Sequence, residues 1–301
     1  MSDSKKQLEK PSVVYDLDEE IYHADGLCPE PSLSSTMAKI ILQPAGPAWL
    51  REVMRNGSPR KPEFDFGSAA HSRILGRGQE VVALEGDART KAYREAKSAA
   101  EAEGKLALKS ADVEAIDRMA EAILDHELAA ELLTAGQGLP EVSMFGIDEQ
   151  TGRWGRGRID FLHSRSMVVD YKTTRSVDDY AFARSAWEYG YWTQAAHYIR
   201  LGQQLDLLDD DPTWLLVAQE KTAPYLVRVF EFRDEELDYG HAQIRRAFDL
   251  WDRCLTLGEW PGYPQTSTIL TAPSWALDTV LTTQASAVAD DIEAYLKEKN
   301  A

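Results

Sequence analysis

Arg156 to Thr174 reads RGRIDFLHSRSMVVDYKTT. One apolar run ends at Asp160. A short turn follows, and a second run, Met167-Val168-Val169, ends in Asp170-Tyr171-Lys172. Valine-rich runs of this length have strand chemistry, and the twofold alternation of a strand puts Asp170 and Lys172 on one face. Taken singly, each residue has an ordinary reading: a strand-end aspartate facing solvent, or a lysine paired with its neighbour. Together, where a strand leaves an apolar core, two carboxylates are costly unless a cation compensates them. Two acids and an ammonium group at one point suit a hard divalent cation and an activated water.

The 301 residues can bury a real core, and 44% hydrophobic with 28% charged residues is the balance of a globular protein, one elaborated domain rather than two equal ones. No apolar run reaches membrane-spanning length, and the first twenty residues lack the apolar centre of a signal peptide. Cys28 and Cys254 cannot form a disulfide framework or a four-cysteine cluster, so a reducing cytoplasm is the expected location. A net charge of −17 argues against nonspecific coating of nucleic acid. Residues 151–184 nevertheless carry seven basic and four acidic side chains, a local excess of +3. Such a patch can steer a polyanion into one channel of an acidic molecule, or it can be scattered surface charge.

Working outward, residues 1–12 are expected to be disordered. Ser32-Leu33-Ser34-Ser35 opens a short helix with a serine cap, stopped by Pro44, Gly46 and Pro47. A helix from Ser68 carries His71, Ile74 and Leu75 along one side, and residues 87–134 read as helices broken near Gly104. Strands are expected at 141–147, 153–163 and 167–172, the first turn lying at Thr151-Gly152 beyond Asp148 and Glu149. One long amphipathic helix should span 178–204. A strand hairpin at 213–219 and 225–232, turned at Ala223-Pro224, and helices at 234–257 and 276–298 complete a layered α/β or α+β arrangement.

Asp160 followed by Asp170-Tyr171-Lys172 resembles the PD-(D/E)xK nuclease superfamily, and VVDYKTT resembles its RecB-like and RecE-like exonuclease branch. His71, in FDFGSAAHSRILG, is similar to the Gly-x-x-x-His helix of that branch. Glu141, in LPEVSMFGI, matches the acid of its first core strand, and Gln194 and Tyr198, in WTQAAHYIRLG, match its Gln-x-x-x-Tyr helix. Tyr22, the Ser-Leu-Ser-Ser helix and the prolines at 44 and 47 look like the N-terminal part of RecE-type phage exonucleases (exodeoxyribonuclease VIII). The likeness runs from about residue 20 to about residue 260. Ile159 stands where the superfamily name has proline, and the tail beyond about residue 265 matches nothing in the branch.

The resemblance implies a restriction-endonuclease-like α/β core, a central mixed sheet flanked by helices, with helical additions at both ends. Its domain would occupy residues 13–265, with a helical extension over 266–301. It implies Mg²⁺, with Mn²⁺ as a substitute, held by Asp160, Asp170 and the Tyr171 carbonyl. Glu141 and His71 would complete that site or support a second ion. Lys172 would position or deprotonate the attacking water, while Gln194 and Tyr198 would hold the DNA end or the metal ligands. Arg156, Arg158 and Thr173 would contact DNA. The implied activity is degradation of linear duplex DNA from 5′ ends, leaving 3′ single strands, by a homo-oligomeric ring. The implied partner is a RecT-like single-strand annealing recombinase, in the host cytoplasm if the chain is phage-encoded, and no membrane is involved. A structure-specific or RecB-like nuclease of the same fold, and a non-catalytic DNA-binding protein, are the alternatives.

Overall fold

The first unit of the chain, Met1–Gly262, runs β1 (Ser12–Val14), α1 (Glu19–His23), α2 (Ser35–Ile41), α3 (Gly46–Asn56), α4 (Pro62–Leu75), β2 (Val81–Leu84), α5 (Lys91–Ala102) and β3 (Leu106–Lys109). It continues through α6 (Ser110–Asp125), α7 (Glu127–Leu133), β4 (Leu139–Ile147), β5 (Trp154–Ser164) and β6 (Met167–Thr174). It ends with α8 (Asp179–Tyr189), α9 (Tyr191–Gln204), β7 (Thr213–Glu220), β8 (Val227–Glu231) and α10 (Asp234–Leu257). This computed structural model describes residues 7–24, 26–57, 62–134, 136–276, 278 and 299. The second unit, Tyr263–Ala301, shows a helical turn at 274–276, and most of the expected 276–298 helix lies outside the described residues.

A mixed six-stranded sheet in the order β1-β4-β5-β6-β7-β8 is the centre of the first unit. All its pairings are antiparallel except β6 with β7, which α8 and α9 connect as a crossover. Alternation along β6 decides what each face receives. Val169 and Tyr171 pack with α4, α6 and α7 through Ala69, Ala70, Met119 and Leu132, whereas Val168 packs with α9 through Ala195, Ile199 and Leu201. Outside α9, α2 and α10 add a further layer around Leu33, Ile41, Phe248 and Trp251. No helix among the described residues is long and apolar enough to cross a membrane.

Several local expectations change. The expected helix over 178–204 is two helices broken at Gly190, whose φ of 65° and ψ of 43° form a left-handed corner. A Cβ there would lie 2.8 Å from the Lys39 side chain. Strands β2 and β3 pair in parallel across α5, and β3 falls within residues 87–134, whose composition reads only as helix. The α4 helix begins at Pro62 rather than Ser68, proline being well suited to a first turn. Residues 1–6 lie outside the described residues. From Leu8, whose amide donates to the Leu27 carbonyl at 2.8 Å, the expected N-terminal disorder gives way to packing against Tyr22 and Phe145.

Two buried polar groups brace α9. Asp148 accepts from Thr151 to close the β4–β5 turn and pairs with Arg200 at 2.6 Å and Arg245 at 2.8 Å, tying the hairpin to α9 and α10. His197, fully buried, donates from Nε2 to the Arg156 carbonyl at 3.0 Å. Burial, reinforced by nearby Arg200, pushes its pKa down from 6.5 to about 3. Between those limits the unfolded chain binds a proton that the folded chain refuses, so stability falls as pH drops through this window. His197→Gln keeps a donor without a titrating ring. Urea unfolding between about pH 7 and pH 5 should show a shallower loss of stability in the variant, by up to ~1.4 kcal/mol per pH unit. Identical slopes would contradict this account.

Candidate active site

The β5–β6 ladder pairs Phe161 with Val169, and the same register would next set Asp160 opposite Asp170. There the strands part. The Tyr171 amide instead donates to Asp160 Oδ2 at 3.0 Å. On the other side of β5, the pairs Pro140↔Phe161 and Val142↔Ile159 place Glu141 opposite Asp160. Three acids therefore cross the sheet in a row. Directly opposed like charges destabilise a sheet, and Glu141 also holds a φ of 56°, a region that side chains other than glycine seldom occupy.

Two cations hold the row together. His71, reaching over from α4, sets Nδ1 3.2 Å from Glu141 Oε1 and Nε2 3.1 Å from Asp160 Oδ2. Lys172 Nζ lies 2.6 Å from Asp170 Oδ2 and 3.9 Å from Asp160 Oδ2. Burial would lower the His71 pKa, but Asp160 and Glu141 outweigh it and raise the group to about 10. Burial likewise favours a neutral Asp160, yet His71 and Lys172 draw it down to about 2. Asp170, only 1% exposed, goes the other way, because burial and the negative Asp160 raise it to about 7 against the pull of Lys172.

The remaining expected residues surround this row. Gln194 Nε2 donates to Asp170 Oδ1 at 3.0 Å and so orients that carboxylate. Tyr198 is buried, its hydroxyl 3.2 Å from Ser35 Oγ on α2 and its ring filling the space where Gly157 lacks a Cβ. The Arg158 guanidinium contacts Glu141 at 3.3 Å, Ser143 at 2.9 Å and the Leu17 carbonyl at 2.9 Å, beneath the Tyr22 ring. Arg156 donates to Ser32 at 3.1 Å. Thr173 lies on the α4 side, its hydroxyl where a Cβ on Gly67 would be 3.5 Å away. The Tyr171 ring points away from the row, its hydroxyl donating to Gln219 at 2.7 Å. Thus His71, Glu141, Asp160, Asp170, Lys172 and Gln194 form one contact network, while Arg156, Thr173 and Tyr198 stand outside it.

Residues 47–271, more than half of the chain, match the family described as a PDDEXK-like domain of unknown function (DUF3799). The chain belongs to that family. Among solved structures, it is similar to a "putative exonuclease" from Eubacterium rectale at 15% identity and a TM-score of 0.58, covering 88% of this chain and 98% of that one. That likeness shows the fold. A phage-related exonuclease from Haemophilus somnus 129PT aligns at 14% identity over 76% of this chain and 97% of that one, with a TM-score of only 0.30. No curated protein sequence matches.

PDDEXK nucleases generally use divalent metals, and the donors here suit one. Carboxylates and an imidazole are ligands for a hard or borderline divalent ion. Asp170 Oδ2 is buried and has Lys172 Nζ as its one close polar neighbour among the described residues, at 2.6 Å. Among the described residues, however, no three such side chains already converge as a metal cage, because His71 and Lys172 occupy the gaps between the acids.

Two neighbours of the site were not legible as such in the chain. Tyr191, three residues before Gln194 and so on its helix face, sets its ring 5.2 Å from Lys172 Nζ. That spacing was the available signal. Lys39 comes from α2, and nothing in its local sequence announces the approach.

Gln194→Glu would press a fourth carboxylate against Asp170. With metal chelated, urea unfolding should show a loss of ~1–3 kcal/mol, and Gln194→Ala a smaller loss. A Gln194→Glu variant as stable as the native chain would contradict the crowding described here.

Proposed function

We propose that this chain is a Mg²⁺-dependent exodeoxyribonuclease of the RecE-like kind that hydrolyses linear duplex DNA from its ends. The observation that carries this reading is the row Glu141, Asp160 and Asp170 at the parting of β5 and β6, with Lys172 in contact and the PDDEXK family around it. Asp160 and Asp170, with the Tyr171 carbonyl, Glu141 and His71, would hold one or two ions. The bound ion supplies charge neutralisation at the phosphate and a more acidic water. Lys172 orients the attacking water and offsets the negative charge that grows on the phosphoryl oxygens. Gln194 fixes Asp170, and Arg158 fixes Glu141, each by the hydrogen bonds given above. In this reading the acting form is a ring, in which only the inner channel of a −17 chain need be basic. Its product, a 3′ single strand, would pass to an annealing recombinase.

End-labelled linear duplex and closed-circular duplex, each incubated with Mg²⁺, separate the possibilities. The linear form should be degraded and the circle left intact. Blocking 5′ ends should stop the reaction and blocking 3′ ends should not. Asp170→Asn and Lys172→Ala should each lower the rate at least about a hundredfold. Cleavage of the circle would overturn the exonuclease reading, and wild-type rates in both variants would overturn the site.

A further inference from the structure

Gly190 turns the chain so that Tyr189 and Tyr191 stack on each other, ring centroids 5.9 Å apart and planes inclined by 18°. Tyr191 adjoins Lys172, and Tyr189 extends the stack outward with 55% of its surface exposed. The stem of Lys39 lies against Gly190, and its ammonium group is 6.0 Å from the centre of the Tyr189 ring. Among the described residues, no carboxylate lies within ion-pair distance of Lys39, although nearly every other cation near the site has one. Burial, with Lys172 nearby, lowers its pKa from the ordinary lysine value. A half-buried ammonium group beside another cation, without a counter-ion, is ready for an anion. The exposed part of the Tyr189 ring, with Lys39 over it and Tyr191 stacked against it, is ready for a flat π-system.

Phosphate and base together make a nucleotide. Inside a duplex both faces of a base are already stacked, and the outer face of a terminal pair is the one exception; an unpaired base is free to bring a face to Tyr189 together with its own phosphate to Lys39. From this juxtaposition we infer that Lys39, Tyr189 and Tyr191 form a subsite for one unpaired deoxynucleotide next to the catalytic row, with Tyr189 stacking the base and Lys39 taking its phosphate. The inference rests on the nuclease reading for the identity of the polymer. It adds that the strand is separated from its complement at the site, and that the subsite tolerates any base, since every base has a π-face.

The test uses the full chain in EDTA with a single-stranded oligonucleotide of about ten residues carrying 2-aminopurine, and a matching strand with abasic positions. Binding should quench the 2-aminopurine, and the abasic strand should bind roughly tenfold more weakly. Tyr189→Ala should relieve the quenching and erase the preference for bases, whereas Tyr189→Phe should retain both. Lys39→Met should weaken both strands and reduce the salt slope by about 0.7. Equal affinity of the native chain for normal and abasic strands, no binding of either, or an unchanged Tyr189→Ala would overturn the subsite. Cleavage of linear duplex by the native chain, measured separately with Mg²⁺, reports on the nuclease reading. A chain that cuts but shows no preference for bases loses the subsite alone.

Discussion

Three carboxylates stand side by side across β4, β5 and β6, one of them almost wholly buried, and everything around them works to make that arrangement tolerable. Removing charge from water costs several kcal/mol per ion unless it is paired and hydrogen-bonded. The chain answers with His71 from α4, Lys172 from β6, Arg158 from β5, the amide of Tyr171 and the side-chain amide of Gln194 from α9. Together they come from four elements, α4, β5, β6 and α9. The sheet, its two helical layers and the β6–β7 crossover are what bring them to one place.

Such a site is held in tension by design of the topology. If β5 and β6 remained paired, the Tyr171 amide would be directed into the ladder rather than to Asp160, and no opening would exist between the acids. The parting of the strands leaves a backbone donor free for a carboxylate, and the buried Asp170 Oδ2 depends on the Lys172 ammonium group alone. Stability is thereby traded for a concentration of negative charge, the expected exchange at a functional site. Elsewhere the fold is more conventional. Asp148 is equally buried, but two arginines and a threonine satisfy it at the closed β4–β5 turn, where it braces structure rather than opening a site.

How much of this could be read from the chain depends on the range of the interaction. The twofold alternation of Val168 to Lys172 is local, so the strand and the shared face of Asp170 and Lys172 were legible. The mixed sheet and the PDDEXK identity followed from motif order. His71, Glu141 and Gln194 were legible only through resemblance, since a histidine among alanines or an acid after a proline carries no local signal. What stayed hidden was long-range or conformational. The break at Gly190 needs the left-handed corner and the Lys39 stem against it. Strands β2 and β3 are four-residue runs that gain their identity only by pairing with each other. Arg158 could be read as a basic surface residue, and only the contact with Glu141 and Tyr22 reveals that its donors are occupied within the fold.

The central claim is that these acids are arranged for a cation other than the two that now hold them. The most direct measurement is crystallography of the protein soaked in Mn²⁺, with data collected at the manganese absorption edge. The account predicts an anomalous peak at the parting of β5 and β6, coordinated by Asp160 and Asp170, with His71 displaced from bridging Glu141 and Asp160. Full-strength crystals that show no peak there, with His71 and Lys172 still seated between the carboxylates, would contradict it.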